Sequence, residues 1–173
     1  ATGLDDSGGV RLLPALGGLG APWWDADARA VIAGLSAAST RAHVARAALD
    51  GIAHRVCDVV EAMLPVLPQA ATAIRVDGGL SANSFLVQRQ ADLLGIPLDI
   101  ADLDESTALG VASMASVGAG LRSLAEVAAV AGPAHRIEPR LGGDERRAER
   151  AAWREFVRAA SALPARRPAD RPG

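Results

Sequence analysis

Ile74-Arg75-Val76-Asp77-Gly78-Gly79-Leu80-Ser81-Ala82-Asn83 is the stretch on which the reading of the fold turns. A short apolar run stops at two glycines and restarts with polar capping residues, so it reads as a strand, a tight turn and a helix. Glycine has no Cβ, which lets a ligand come close to the main chain, and the first turn of the next helix carries amides without intrahelical acceptors. That combination suits a phosphate-bearing ligand. It also suits an ordinary strand-to-helix connection, and the flanking sequence must separate the two.

Downstream, Ser81 or Asn83 can cap a helix that runs to about Leu94, with Phe85, Leu86, Gln90, Leu93 and Leu94 marking its faces and Gly95 as its stop. Pro97 to Ile100 reads as another strand, and Ser106 caps a small-residue helix through about Val117. Ser123 with Glu126 forms a capping box for a short helix. From Asp144 to about Leu163 a last helix has Trp153, Phe156 and Val157 on its apolar side. Its Arg146, Arg147, Arg150, Arg154 and Arg158 interleave with Glu145, Glu149 and Glu155, the pattern of a solvated face.

Upstream, Val10 to Pro14 and Val31 to Ile32 read as short strands that follow each other without a helix and pair as a hairpin. Between them Gly17, Gly18, Gly20 and Pro22 make an irregular loop carrying Trp23 and Trp24. From Thr40 to near Pro65 apolar residues recur every three or four positions, at Val44, Ala48, Ile52, Val56, Val59 and Met63, which predicts the longest helix. Gly51 inside it costs about 1 kcal/mol against alanine, which points to something packed closely there. Strands separated by helices give an α/β layer architecture with a mixed sheet flanked by helices.

The chain has 173 residues, half of them hydrophobic, enough for one domain with a sizeable core. A net charge of −2 argues against a general nucleic-acid binder or a polybasic membrane anchor. All 18 basic residues are arginine, so the lysine of a P-loop ATPase is not supplied. Cys57, the single cysteine, sits among Val56, Val59 and Val60 and reads as a core residue, leaving no disulfide and no cysteine-based zinc site within the chain. Charged residues or histidine interrupt every apolar stretch, which excludes a membrane span and leads to the expectation of a cytoplasmic setting. His43 and His54 lie on the long helix without a carboxylate at metal spacing and read as surface or interface residues, and His135 reads as a loop residue. The start at Ala1 reads as a fragment or processed chain; residues 1–163 form the domain, and the Pro- and Arg-rich residues 164–173 a disordered tail.

Three blocks in order carry a resemblance to a known family. The first is Gly18-Leu19-Gly20-Ala21-Pro22-Trp23-Trp24-Asp25 with Asp27-Ala28-Arg29; the second is Gly34-Leu35, His43-Val44 and Ala47-Ala48-Leu49-Asp50. The third is Val76-Asp77-Gly78-Gly79 with Asn83, then Gln90-Ala91-Asp92 and Glu105-Ser106-Thr107-Ala108-Leu109-Gly110. Spanning residues 10 to 120 or so, they resemble the FGGY carbohydrate kinase family. Departures are modest: Trp23 stands where Tyr is usual, Ala30 where Gly is common, and Val111 where a small residue follows Ala-Leu-Gly.

The resemblance implies an actin-like, ribonuclease H-like ATPase domain, the C-terminal one of two, with the active site in the cleft between them. It implies ATP/ADP and Mg²⁺ as cofactors and glycerol as substrate, with xylulose, gluconate or another polyol or sugar as the alternative and a non-catalytic nucleotide-sensing module as a rival. By the same resemblance Gly78 and Gly79 bring backbone to the nucleotide and Asn83 reaches the adenosine moiety, while Asp77 either faces the phosphates or accepts hydrogen bonds from turn amides. Glu105, Ser106 and Thr107 approach ligand or simply start a helix, and Asp25 and Arg29 fix their loop. The catalytic Asp of the family lies upstream of the matching segment, so no catalytic or metal-ligating residue is assigned here, and the missing N-terminal domain is the partner required for activity. The resemblance leaves a homo-oligomeric full-length enzyme open.

Overall fold

The computed structural model describes residues 4, 6–101, 106–128 and 134–163. Strands β1 (Arg11–Leu13) and β2 (Val31–Ala33) pair antiparallel, with Leu12 opposite Ile32. The hairpin expected from the absence of an intervening helix therefore forms. Helix α1 (Arg41–Met63) follows, started by Thr40, whose backbone amide donates to His43 Nδ1 at 3.0 Å in a capping box. Its Gly51 is buried over β1: a Cβ at this position would run into the carbonyl oxygen of Leu12. The absence of a side chain is what lets helix and strand close to backbone contact.

Strand β3 (Ile74–Val76) leads through a 3₁₀ turn (Gly79–Ala82) into α2 (Ser84–Leu94), which ends at Gly95 in the left-handed region with φ 66°. Strand β4 (Leu98–Ala101) returns parallel to β3, with Ile74 opposite Leu98 and Val76 opposite Ile100. Helix α3 (Ser106–Gly118) and the short α4 (Leu124–Ala128) come next; Ser123 and Glu126 make the expected capping box, with Glu126 Oε2 accepting from the Ser123 amide at 2.7 Å. Strand β5 (Ala134–Ile137) then pairs antiparallel with β4, and α5 (Gly143–Ser161) closes the described chain. The three-stranded sheet, ordered β3-β4-β5, is thus mixed as expected. β5 is a correction, because His135 was read as a loop residue and instead lies in a strand, opposite Ile100. Its sequence, Ala-His-Arg-Ile, carries one large apolar side chain and no alternation; it is held by the ladder and by Arg136, which donates to both oxygens of Asp99 at 2.7 and 2.8 Å.

The core forms in three places. Leu13, Ala15, Leu19 and Ala28 of the hairpin and its loop pack against Trp153 and Val157 of α5. Ala53 and Cys57 of α1 meet Leu86 and Leu93 of α2. The other side of α2, through Val87 and Ala91, packs with Leu98 on the sheet. α2 therefore lies between α1 and the sheet, and the glycine turn leads from β3 into its N-terminus. Cys57 is fully buried, as expected, and burial pushes its thiol up to about 12. Residues 164–173, read above as a disordered tail, and Glu105 lie outside the described residues.

Candidate functional site

The strand-turn-helix stretch folds as its sequence suggests. Gly78 sits at φ 90°, ψ 169°, a conformation that residues with a Cβ rarely adopt, and this bends the chain out of β3. Its carbonyl is the anchor of the turn, accepting from the Ser81 amide at 2.9 Å and from Ser81 Oγ at 2.7 Å. Ser81 thus fastens the turn, and Asn83 is the helix cap: its Oδ1 accepts from the Leu86 amide at 3.1 Å. A Cβ at Gly78 or Gly79 would meet nothing within 4 Å, so the outer side of both glycines is open.

Beside this turn, Asp77, Leu80 and Ser81 border a cleft of about 350 Å³ between β3, the turn, α1 and α2. Ile52 and Val56 of α1 and Leu80 give it apolar walls, and Arg75, Asp77, Ser81 and Gln90 its polar atoms. Asp77 is exposed, and among the described residues its carboxylate accepts no hydrogen bond from the turn. Of the expected site residues Asp77 lines this cleft, whereas Gly78, Gly79 and Asn83 belong to the adjoining turn and helix start and do not line it. Ser106 and Thr107 open α3, and Thr107 is exposed. Among the described residues no group of three or more His, Cys, Asp or Glu side chains is arranged to hold a metal ion.

A second polar constellation was not legible in the sequence. Asp58, buried on α1, accepts from four donors: Trp23 Nε1 at 2.8 Å, Arg55 Nη1 at 2.7 Å, Trp153 Nε1 at 3.1 Å and Arg150 Nη2 at 2.6 Å. Burial alone would raise its pKa, but the hydrogen bonds from Trp23, Arg150 and Trp153 outweigh that and hold it below the ordinary carboxylate value. Arg150 is itself buried and also donates to both oxygens of Glu61 at 2.9 Å and to His54 Nδ1 at 2.9 Å. The helix face read as solvated is therefore anchored inward at Arg150. His54, read as a surface or interface residue, is buried too, stacked on Trp153 with ring centroids 4.7 Å apart. Burial and the Arg150 charge lower its pKa to about 3. Every strong donor around Asp58 is satisfied, so this hub fixes α5 and the Trp23 loop onto α1 rather than offering a reactive group. In the sequence Asp58 is one of several charged residues on α1, and its distant partners, two Trp and Arg150, are connected to it only by packing.

In the loop, Asp25 Oδ1 accepts from the amides of Asp27 and Ala28 at 3.1 and 3.0 Å, and Arg29 Nη1 donates to the carbonyls of Ala26 and Ala28. Both residues fix the loop, as expected. Trp23 is half-buried against Asp58, and Trp24 stands out at 79% exposure.

Residues 3–119 match the FGGY family of carbohydrate kinases, C-terminal domain. A glycerol kinase of Citrifermentans bemidjiense is 45% identical over 158 residues, covering 91% of this chain and 32% of that protein. One of Rhodospirillum centenum is 46% identical over 159 residues, with the same coverage of 91% and 32%. Among solved structures, Plasmodium falciparum glycerol kinase with ADP superposes with a TM-score of 0.79 at 27% identity, over 91% of this chain and 32% of that one. Gluconate kinase from Lactobacillus acidophilus gives 0.74 at 26% identity, over the same shares of 91% and 32%. The chain spans about a third of the length of the curated relatives it matches.

Proposed function

The chain belongs to the FGGY family of carbohydrate kinases, to its C-terminal domain, and from that premise we propose that it is the nucleotide-binding half of an ATP-dependent glycerol kinase. Its fold is the actin-like, ribonuclease H-like ATPase fold, a mixed sheet flanked by helices. The choice of glycerol is supported by the names of the relatives above 40% identity. Structural likeness does not separate the substrates, since gluconate and xylulose kinases superpose with TM-scores of 0.74 and 0.75.

The observation that carries the nucleotide reading is the open turn at Gly78 and Gly79, where a Cβ would meet nothing within 4 Å, next to the cleft lined by Asp77, Leu80 and Ser81. The residues present fit a nucleotide: two glycines beside the cleft permit close approach, apolar walls suit a base, and Arg75, Asp77, Ser81 and Gln90 supply polar atoms. Gly78 and Gly79 would offer backbone to the ligand. Asn83 spends its Oδ1 on the helix cap, which leaves its Nδ2 hydrogens to donate to the adenosine side. Asp77, exposed at the rim, is the carboxylate that would stand by the phosphates and their Mg²⁺. When bound, ATP supplies the transferred phosphoryl group and Mg²⁺ neutralises charge on its oxygens. This chain's residues bind and orient; the base that accepts the substrate hydroxyl proton is assigned to the N-terminal domain of the full-length protein.

Residues 1–163 are accordingly one domain of two, and this domain alone is inactive. Two measurements test the reading. Calorimetry of the full-length protein should show ADP–Mg²⁺ binding that Gly79→Val weakens at least about tenfold, about 1.4 kcal/mol; unchanged affinity would remove Gly79 from the site. ATP-dependent phosphorylation of glycerol by the purified 173-residue chain would show that the catalytic group is within it, against the proposal.

A further inference from the structure

Four arginines of α5, Arg146, Arg147, Arg150 and Arg154, line one cleft of about 340 Å³ whose other walls are Glu61 of α1 and the Leu93 end of α2. Arg146, Arg150 and Arg154 recur every four residues, so they share one face of the helix. Their charges are only partly matched. Arg150 is held by buried Asp58 and by Glu61, and Arg154 Nη2 shares the same Glu61 oxygen at 2.7 Å. Arg147 pairs with Asp144, whose side chain is almost wholly exposed, so that contact is worth little. Among the described residues Arg146 has no carboxylate partner; its guanidinium lies against Gly95, beyond the end of α2. Four guanidinium groups therefore meet two inner carboxylates, Asp58 and Glu61, and the exposed Asp144, which leaves the charge of Arg146 without a carboxylate partner and that of Arg147 only weakly matched.

We infer that this cleft binds a phosphoryl dianion, either inorganic phosphate or the phosphate group of a small phosphomonoester. A guanidinium presents paired N–H donors in a plane that matches two oxygens of a tetrahedral oxyanion, and Arg146 with Arg147 supplies two such forks beside the unmatched charge. The concave wall raises the local potential at Arg146, which is half-buried, while the Arg147 side chain is 72% exposed and reaches the mouth from solvent. The site is separate from the glycine cleft: Gly78–Asn83 lies at the N-terminal end of α2 and Leu93 at its C-terminal end, roughly 16 Å along an 11-residue helix. It does not depend on the nucleotide reading. The inner pair, Arg150 with Asp58, positions the helix, and the outer pair, Arg146 and Arg147, meets the ligand.

The test is calorimetric titration of the full-length protein at low ionic strength with inorganic phosphate in one arm and glucose 6-phosphate in the other. The comparison is with an Arg146→Gln, Arg147→Gln double variant, which leaves the buried Asp58 hub intact. The expected result is binding that the double variant weakens at least about tenfold, with ADP affinity unchanged. Tighter binding of glucose 6-phosphate supports a phosphomonoester ligand, and tighter binding of inorganic phosphate supports the free anion. Equal affinity of wild type and variant for both, or no saturable binding of either, overturns the site.

Discussion

Arg150 and Asp58 meet at 2.6 Å with side chains only 3% and 2% exposed, joining α5 to α1 across 92 residues of sequence. A pair so thoroughly desolvated is not in itself a strong source of stability, because removing two charges from water costs about as much as their attraction returns. Breaking it is another matter. Arg150→Met should destabilise the protein by about 3–5 kcal/mol, since Asp58 keeps its charge without its principal partner. Urea denaturation gives the number, and a loss below about 1 kcal/mol would mean that Asp58 is satisfied by Trp23, Trp153 and Arg55 alone.

The same hub makes stability fall with acid over a definite range. The folded pKa of His54, about 3, lies below its ordinary value of 6.5. Between those values the unfolded chain binds a proton that the folded chain does not, so His54 contributes stability above pH 6.5 that is lost as pH falls toward 3, at about 1.4 kcal/mol per unit. Asp58, held below the usual carboxylate range, adds a loss at lower pH still. His54→Gln should flatten the stability profile between pH 6 and pH 4 by roughly one proton. An unchanged slope in that variant would assign the acid sensitivity elsewhere.

Two glycines should respond oppositely to alanine. Gly51→Ala drives a Cβ into the Leu12 carbonyl, which backbone cannot easily yield, and should cost about 1–3 kcal/mol. Gly79→Ala meets nothing within 4 Å and should change stability by less than about 0.5 kcal/mol. Thermal denaturation compares the two directly, and a large loss at Gly79 would contradict the open turn.

Asn83 serves as helix cap and, on the proposed function, as a nucleotide contact, and the two tasks can be separated. Asn83→Ser keeps an oxygen for the Leu86 amide but removes the amide nitrogen, so stability should hold within about 0.5 kcal/mol. Asn83→Ala should lose about 1 kcal/mol. Both variants should raise the KM for ATP of the full-length enzyme several-fold. Equal KM in wild type and Asn83→Ser would confine Asn83 to capping.

Local chemistry made much of the fold legible. Gly95 ends α2 because it takes a left-handed φ of 66°, Thr40 and Ser123 start helices with side chains suited to that task, and the apolar spacing of residues 44–63 outlines α1 within a residue or two. The glycine turn was legible for the same reason: what a glycine pair after a short strand permits depends on the absence of Cβ atoms. β5 was not legible, because Ala134–Ile137 has little propensity of its own and becomes a strand through its pairing with β4. The roles of His54 and of the α5 arginines escaped for a related reason, since a charged residue is read as solvated until a buried partner is placed beside it.

The sequence alone determined the order of strands and helices apart from β5, the position of the open turn and, through three spaced blocks, the family, because backbone preference and short motifs are properties of neighbouring residues. Only the tertiary structure decided which of five arginines on one helix is buried, that Asp58 gathers Trp23, Trp153 and Arg150, and that Arg146 and Arg147 are left facing a cleft. Burial and charge pairing join residues distant in the chain, and their energies exist only once packing has removed the water between them.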